Sequence, residues 1–92
     1  MSWTVTYSSK SHKQYAKFPS VIQDRLDLLS AEIEILGPVR GNWPNYSKLN
    51  NGLHHCHIKK GCPTYVAVWE ETDKNIQLVE VQYVGTHENA PY

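Results

Sequence analysis

Ninety-two residues, 40% of them apolar and 20% charged, fit one small folded domain that buries roughly 60–65% of its unfolded surface. No apolar run approaches the roughly 20 residues of a membrane span, and the opening Met-Ser-Trp-Thr-Val-Thr-Tyr lacks the charged and apolar regions of a signal peptide. A cytoplasmic protein with no membrane partner is therefore expected. The formal net charge of zero excludes a strong non-specific nucleic-acid binder, although residues 1–60 carry eight of the nine Lys and Arg and can still form a basic side.

Trp3, Val5 and Tyr7 alternate with Thr4 and Thr6, the pattern of a half-buried strand. Ser8 or Ser9 then caps a short helix over Lys10–Phe18, with Tyr15, Phe18 and Ser11 inward. Lys10, Lys13 and Lys17 form a basic stripe on its other side, either a solvated face or a phosphate contact. Ser20-Val21-Ile22-Gln23 fits a capping box that opens the clearest element, a helix over Ser20–Leu36. In it Ile22, Leu26, Leu29, Ile33 and Leu36 recur at spacings of four and three, with Val21, Leu28 and Ile35 beside them. Most of Asp24, Arg25, Glu32 and Glu34 are expected to face water, and Gly37-Pro38 ends the helix.

Val39–Gly52 reads as a polar linker, long for a compact domain and so a sign of function or mobility, with Trp43 and Tyr46 anchoring it. Leu53–Lys60 (Leu-His-His-Cys-His-Ile-Lys-Lys) reads as a strand. Alternation points Cys56 and Ile58 to the core and sends His55, His57 and Lys59 to the opposite face. That second face is either a working surface for proton transfer and anion holding or an ordinary solvated one. Gly61-Cys62-Pro63 makes a turn, and Thr64–Trp69 a strand with Val66 and Val68 opposite Tyr65, Ala67 and Trp69. Glu71–Asn75 is a hairpin loop. Ile76–Val84 follows as a strand with Val79, Val81 and Tyr83 opposite Leu78, Glu80 and Gln82. The β-α-α-β-β-β order describes a single α+β domain over residues 1–92, an antiparallel sheet with an αα-hairpin packed on one face. The long helix is expected to lie on the face containing Val66 and Val68.

Three stretches, Gly41–Tyr46 (Gly-Asn-Trp-Pro-Asn-Tyr), Cys56–Lys59 and Gly85-Thr86-His87, together with this element order, resemble the RelE/ParE superfamily of bacterial type II toxins. The likeness is strongest to its histidine-using YafQ-like and HigB-like members. It implies a RelE-like fold and a cytoplasmic toxin that enters the ribosomal A site and cuts mRNA, inhibiting translation. It also implies a cognate antitoxin protein that silences the toxin in a hetero-oligomer. By the same resemblance His57 matches the histidine of the middle strand, His87 the histidine after the last strand, and Tyr92 the terminal aromatic that stacks on a base.

Metal-free RNA cleavage needs a base for the 2′-hydroxyl proton, an acid for the leaving 5′-oxygen, and cations around the phosphorane. His87 is assigned as general acid or base, His57 as its counterpart, and Lys59, next on the same face as His57, as the electrostatic stabiliser. Lys60, Arg40 from the linker, His55 and Tyr92 are the remaining RNA-binding candidates. His54 shares the face of Cys56 and reads as structural, and His12 is assigned nothing. A zinc site from His55 and His57 with His87 or Cys62 has no supporting Cys-x-x-Cys or His-Glu-x-x-His pattern, so no metal or cofactor is expected. Cys62 has no adjacent base that would make it a nucleophile, and two cysteines are too few for a disulfide framework. Two other functions fit the same fold: a ParE-like inhibitor of DNA gyrase, which needs no catalytic histidines, and a catalytically inactive module that only binds a partner.

Overall fold

The computed structural model describes residues 2–61 and 63–92. Strand β1 (Thr4–Tyr7) leads into helix α1 (Ser9–Ala16), and helix α2 (Ser20–Leu36) follows directly. Strands β2 (Ser47–Lys48), β3 (Leu53–Lys59), β4 (Tyr65–Asp73) and β5 (Leu78–Thr86) complete the chain, with short 3-10 turns at Asn50–Gly52 and His87–Asn89. The five strands form one sheet in the order β1-β5-β4-β3-β2. The β3-β4-β5 meander is antiparallel as expected, but β1 joins it parallel to β5, and part of the supposed linker supplies the edge strand β2.

Both helices cover one face of this sheet. Ser8 caps α1, its hydroxyl accepting from the Ser11 N–H at 3.1 Å, and the buried Ser11 hydroxyl donates to the Val81 carbonyl at 2.6 Å. The capping box at Ser20–Gln23 does not form. Pro19 is the N-cap, which places Ser20 inside the first turn, and Gln23 donates instead to the Tyr15 carbonyl at 2.9 Å. The α2 stripe Ile22, Leu26, Leu29 and Ile33 is buried against Cys56, Ile58, Ala67, Trp69, Val79 and Val81. At the C-terminal end Gly37 takes φ 94°, and a Cβ there would press on the indole of Trp3 at 3.2 Å.

The face assignment for β4 is corrected by this packing. Val66 and Val68 lie on the far face with Tyr83, not under α2. Val66 pairs with His57 and Val68 with His55, so these valines share the histidine face. Residues 66–69 of β4 are buried on both sides, which erases the alternation that would have distinguished them. The faces of β5 also change partway along. Val68 pairs with Tyr83 and Trp69 with Val81, so Gln82 is the extra residue of a β-bulge and Tyr83 turns to the histidine face. The last hairpin is tighter than expected as well: β4 runs to Asp73, and Ile76 sits exposed in the turn.

The linker is bound firmly to the body. Glu32 does not face water but accepts from Trp43 Nε1 at 2.9 Å, Asn42 Nδ2 at 2.9 Å and Arg40 Nη1 at 3.3 Å. These donors hold its carboxyl below the usual carboxylate range, that of Asn42 foremost. Trp69 Nε1 donates to the Pro38 carbonyl at 3.0 Å, tying the end of α2 to the central strand.

Candidate functional site

His57, from the middle strand in chain order, and His87, just past the last strand, meet at one cavity. His57 sits on β3, where its backbone N–H donates to the Pro44 carbonyl at 2.8 Å, so the linker fixes its height on the sheet. His87 begins the 3-10 turn after β5, and its backbone N–H donates to the Thr64 carbonyl at 2.8 Å. The turn is made by His87–Asn89, not by Gly85, which stays paired with Val66 inside β5. Gly85 serves packing instead, because a Cβ there would fall 2.6 Å from the Tyr83 hydroxyl.

The two imidazoles stand edge to face with centroids 5.5 Å apart and interplanar angle 75°. Both line a cavity of about 410 Å³, together with Gly61, Pro63, Thr64, Thr86 and Glu88. Among the described residues His57 Nδ1 is buried and has no hydrogen-bond partner, which leaves Nε2 as the nitrogen open to the cavity. Burial, then the charges of His87 and Lys60, push the His57 pKa below its ordinary value. His57 is thereby held neutral near pH 7 and able to accept a proton.

His55 and Tyr92 extend the same face. The Tyr92 ring stacks on His55 at 4.2 Å and stands edge to face with His87 at 6.0 Å. His55 Nε2 meets the Ser47 hydroxyl at 2.6 Å, and burial with the nearby His57 and His87 lowers its pKa. His54 points the other way, into the core. It is 1% exposed, stacks on Trp69 at 5.7 Å and bonds the Tyr46 hydroxyl through Nδ1 at 2.7 Å. Its pKa is pushed down to about 4 by burial and by Lys48.

Lys59 and Arg40 are not brought to the histidines. His57 pairs with Val66 but Lys59 with Tyr65, so a bulge at Ile58 rotates Lys59 onto the helix side. There it lines a separate cavity with Pro19, Ile22 and Tyr65. Alternation across β3 predicts the opposite because a bulge leaves no mark in the residue pattern. Arg40 is held at Glu32 and at the Gly37 carbonyl, 3.1 Å from its Nε. Lys60, exposed just past β3, lines the same helix-side cavity as Lys59 and not the one at the histidines, but its charge still reaches His57.

The thiol of Cys56 is buried, with its pKa raised to about 12, and has no chemical role here; Cys62 lies outside the described residues. Among the described residues no group of three or more His, Cys, Asp and Glu side chains is arranged to hold a metal ion, and no helix is long and apolar enough to cross a membrane. Sequence reasoning missed Thr64 and Thr86, which flank the histidines in the cavity, and Glu70 and Gln82, which lie farther along the same face. The hairpin register places them there, and the residue pattern carries no signal for them.

No protein-family model matches the chain, and no curated protein matches it in sequence. Solved structures do match it in fold. A double mutant of the E. coli toxin RelE in the free state superposes with a TM-score of 0.75 at 17% identity, covering 98% of this chain and 88% of that one. The YoeB dimer from Staphylococcus aureus gives 0.73 at 16% identity, covering 95% and 99%. The intact E. coli RelBE toxin–antitoxin complex gives 0.69 at 20% identity, covering 95% and 99%. The chain has the RelE-like fold, α+β with two helices on one face of a mostly antiparallel sheet.

Proposed function

We propose that this chain is the toxin of a type II toxin–antitoxin pair and a metal-independent endoribonuclease that cuts mRNA on the ribosome. The observation that carries the reading is the His57–His87 pair, 5.5 Å apart at a shared cavity on the RelE-like sheet. Two imidazoles lining one cavity this close together can each turn a ring nitrogen to a different oxygen of a single phosphate seated beside them.

Neutral His57 takes the proton from the 2′-hydroxyl, whose oxygen then attacks the phosphorus in line. His87 delivers a proton to the departing 5′-oxygen as the P–O5′ bond breaks, leaving a cyclic phosphate and a free 5′-hydroxyl. Lys60 provides positive charge for the pentavalent phosphorus, and Tyr92, already against both His55 and His87, offers a ring on which a flanking base stacks. Dependence on two histidines favours the YafQ-like and HigB-like branch of the superfamily.

A cognate antitoxin is the expected partner, as in the RelBE complex that shares this fold. Val21, Leu28 and Ile35 recur at seven-residue intervals on the outer side of α2 and are 47%, 54% and 71% exposed, which gives an apolar segment something to cover. Expression of the chain without an antitoxin in growing bacteria is the direct test. The proposal expects translation arrest with mRNA cut inside reading frames. Arrest with intact mRNA and DNA damage would replace it with gyrase inhibition, and no arrest at all would replace it with an inactive binding module.

A further inference from the structure

The histidine face also carries a groove of about 720 Å³, larger than the 410 Å³ cavity at His57 and His87, whose walls include Leu53, Val68, Glu70, Gln82, Tyr83 and Tyr92. The β5 bulge creates its polar wall by turning consecutive residues, Gln82 and Tyr83, to one side. Gln82 Nε2 donates to Glu70 Oε1 at 3.0 Å and to Glu80 Oε1 at 2.6 Å. Ionised carboxylates only accept, so the orientation of the amide is fixed, both its N–H groups are used, and its Oε1 remains as an acceptor. The half-buried wall of the groove therefore presents acceptors, the Glu70 carboxylate and the Gln82 carbonyl. Its potential donors, Lys10, Asn50, Asn51 and the Tyr92 hydroxyl, all belong to exposed residues, and the Lys10 ammonium lies 5.5 Å from the centre of the Tyr83 ring.

The groove and the catalytic cavity share a partition. Tyr92 lines the groove, and the same ring lies 4.2 Å from His55 and 6.0 Å from His87. A nucleotide with its phosphate at His87 has its base within reach of this partition.

We propose that the groove is a nucleobase subsite selective for guanine, beside the phosphate that His57 and His87 act on; this rests on the ribonuclease reading above. Guanine alone carries two adjacent donor groups on its Watson–Crick edge, N1–H and the N2 amino group, and one carboxylate can accept both. Adenine and cytosine set a ring-nitrogen acceptor beside their amino group, which would face the Glu70 carboxylate without a proton between them. Uracil flanks its single N3–H with two carbonyls. Stacking on Tyr92 holds any base, so the acceptor wall discriminates between them.

The test is titration of the full chain with 3′- and 5′-monophosphates of the four nucleosides, followed by NMR at Tyr83 and Tyr92. Guanosine monophosphate is expected to bind roughly tenfold or more tightly than the others, the discrimination typical of one bidentate base contact. A tighter 3′-isomer places guanine before the cut and a tighter 5′-isomer places it after, and either supports the subsite. Glu70→Gln is expected to erase the preference, although the comparison among nucleotides on the unaltered chain decides without it. Equal affinities, or no response at either tyrosine, overturn the proposal. Mapping of mRNA cuts by the unaltered chain separates the two ideas: no cutting counts against the ribonuclease reading, whereas cuts indifferent to guanine count against the subsite alone.

Discussion

His57 works through its surroundings more than through its identity. Burial and the neighbouring positive charges of His87 and Lys60 lower its pKa, so in the proposed role of general base it stays unprotonated to a pH below the ordinary 6.5. Cleavage is accordingly expected to fall as pH drops below 6.5 through that lowered pKa. Lys60→Ala removes one of the lesser causes, and the acid limb of the kcat/KM profile should move a little upward; an unmoved limb would detach Lys60 from the site. His54 gives a separate pH effect, on stability. Its folded pKa of about 4 lies under the ordinary 6.5, so between those values the unfolded chain binds more protons and stability is lost as pH falls. The shift corresponds to roughly 3 kcal/mol at most, and His54→Phe should flatten the decline in melting temperature across that window. The face taken by His57 and the core-side place of His54 were legible from strand alternation. The place of Lys59 was not, because alternation assumes an unbroken ladder and Ile58 interrupts it.

At the scale of elements, α2 is where sequence and structure agree most closely. Ile22, Leu26, Leu29 and Ile33 bury the expected stripe, since a 3.6-residue period of this length has no competing interpretation, whereas Leu36, its fifth member, is exposed at the end of the helix. Leu29, 2% exposed, should cost roughly 2–5 kcal/mol on replacement by Ala. An unchanged denaturation midpoint would contradict the packing. The strands were legible as elements and less so in their faces. Residues 66–69 of β4 are buried on both sides, and β5 changes face at Gln82, so neither offers a constant alternation to read. The parallel pairing of β1 with β5 depends on how both helices cross the sheet, which local patterns do not encode. The linker's length left function and mobility both open, and its anchoring by Trp43 and Tyr46 was legible from their rings. What its polar composition did not reveal is that Glu32 gathers three of its donors and that its backbone sets the position of His57 through Pro44.

For the whole molecule, one sheet divides the labour: the helices and the main core lie on one face, and His55, His57, His87, Tyr92 and the groove on the other. The outer stripe of α2 belongs to neither and is available to a partner. If the proposed antitoxin covers this stripe, Leu28→Glu should weaken its capture of the chain at least tenfold while leaving the melting temperature within a few degrees, since the residue is 54% exposed. Unaltered capture would move the antitoxin to another surface. The central claim is that His57 and His87 together cut RNA. It is tested most directly by mRNA cleavage in a reconstituted translation system, comparing the unaltered chain with a folded His87→Gln variant. Glutamine keeps a hydrogen-bonding side chain but cannot transfer the proton, and the account predicts that cleavage slows by about 10²–10⁴. Equal cleavage by the two proteins would contradict it.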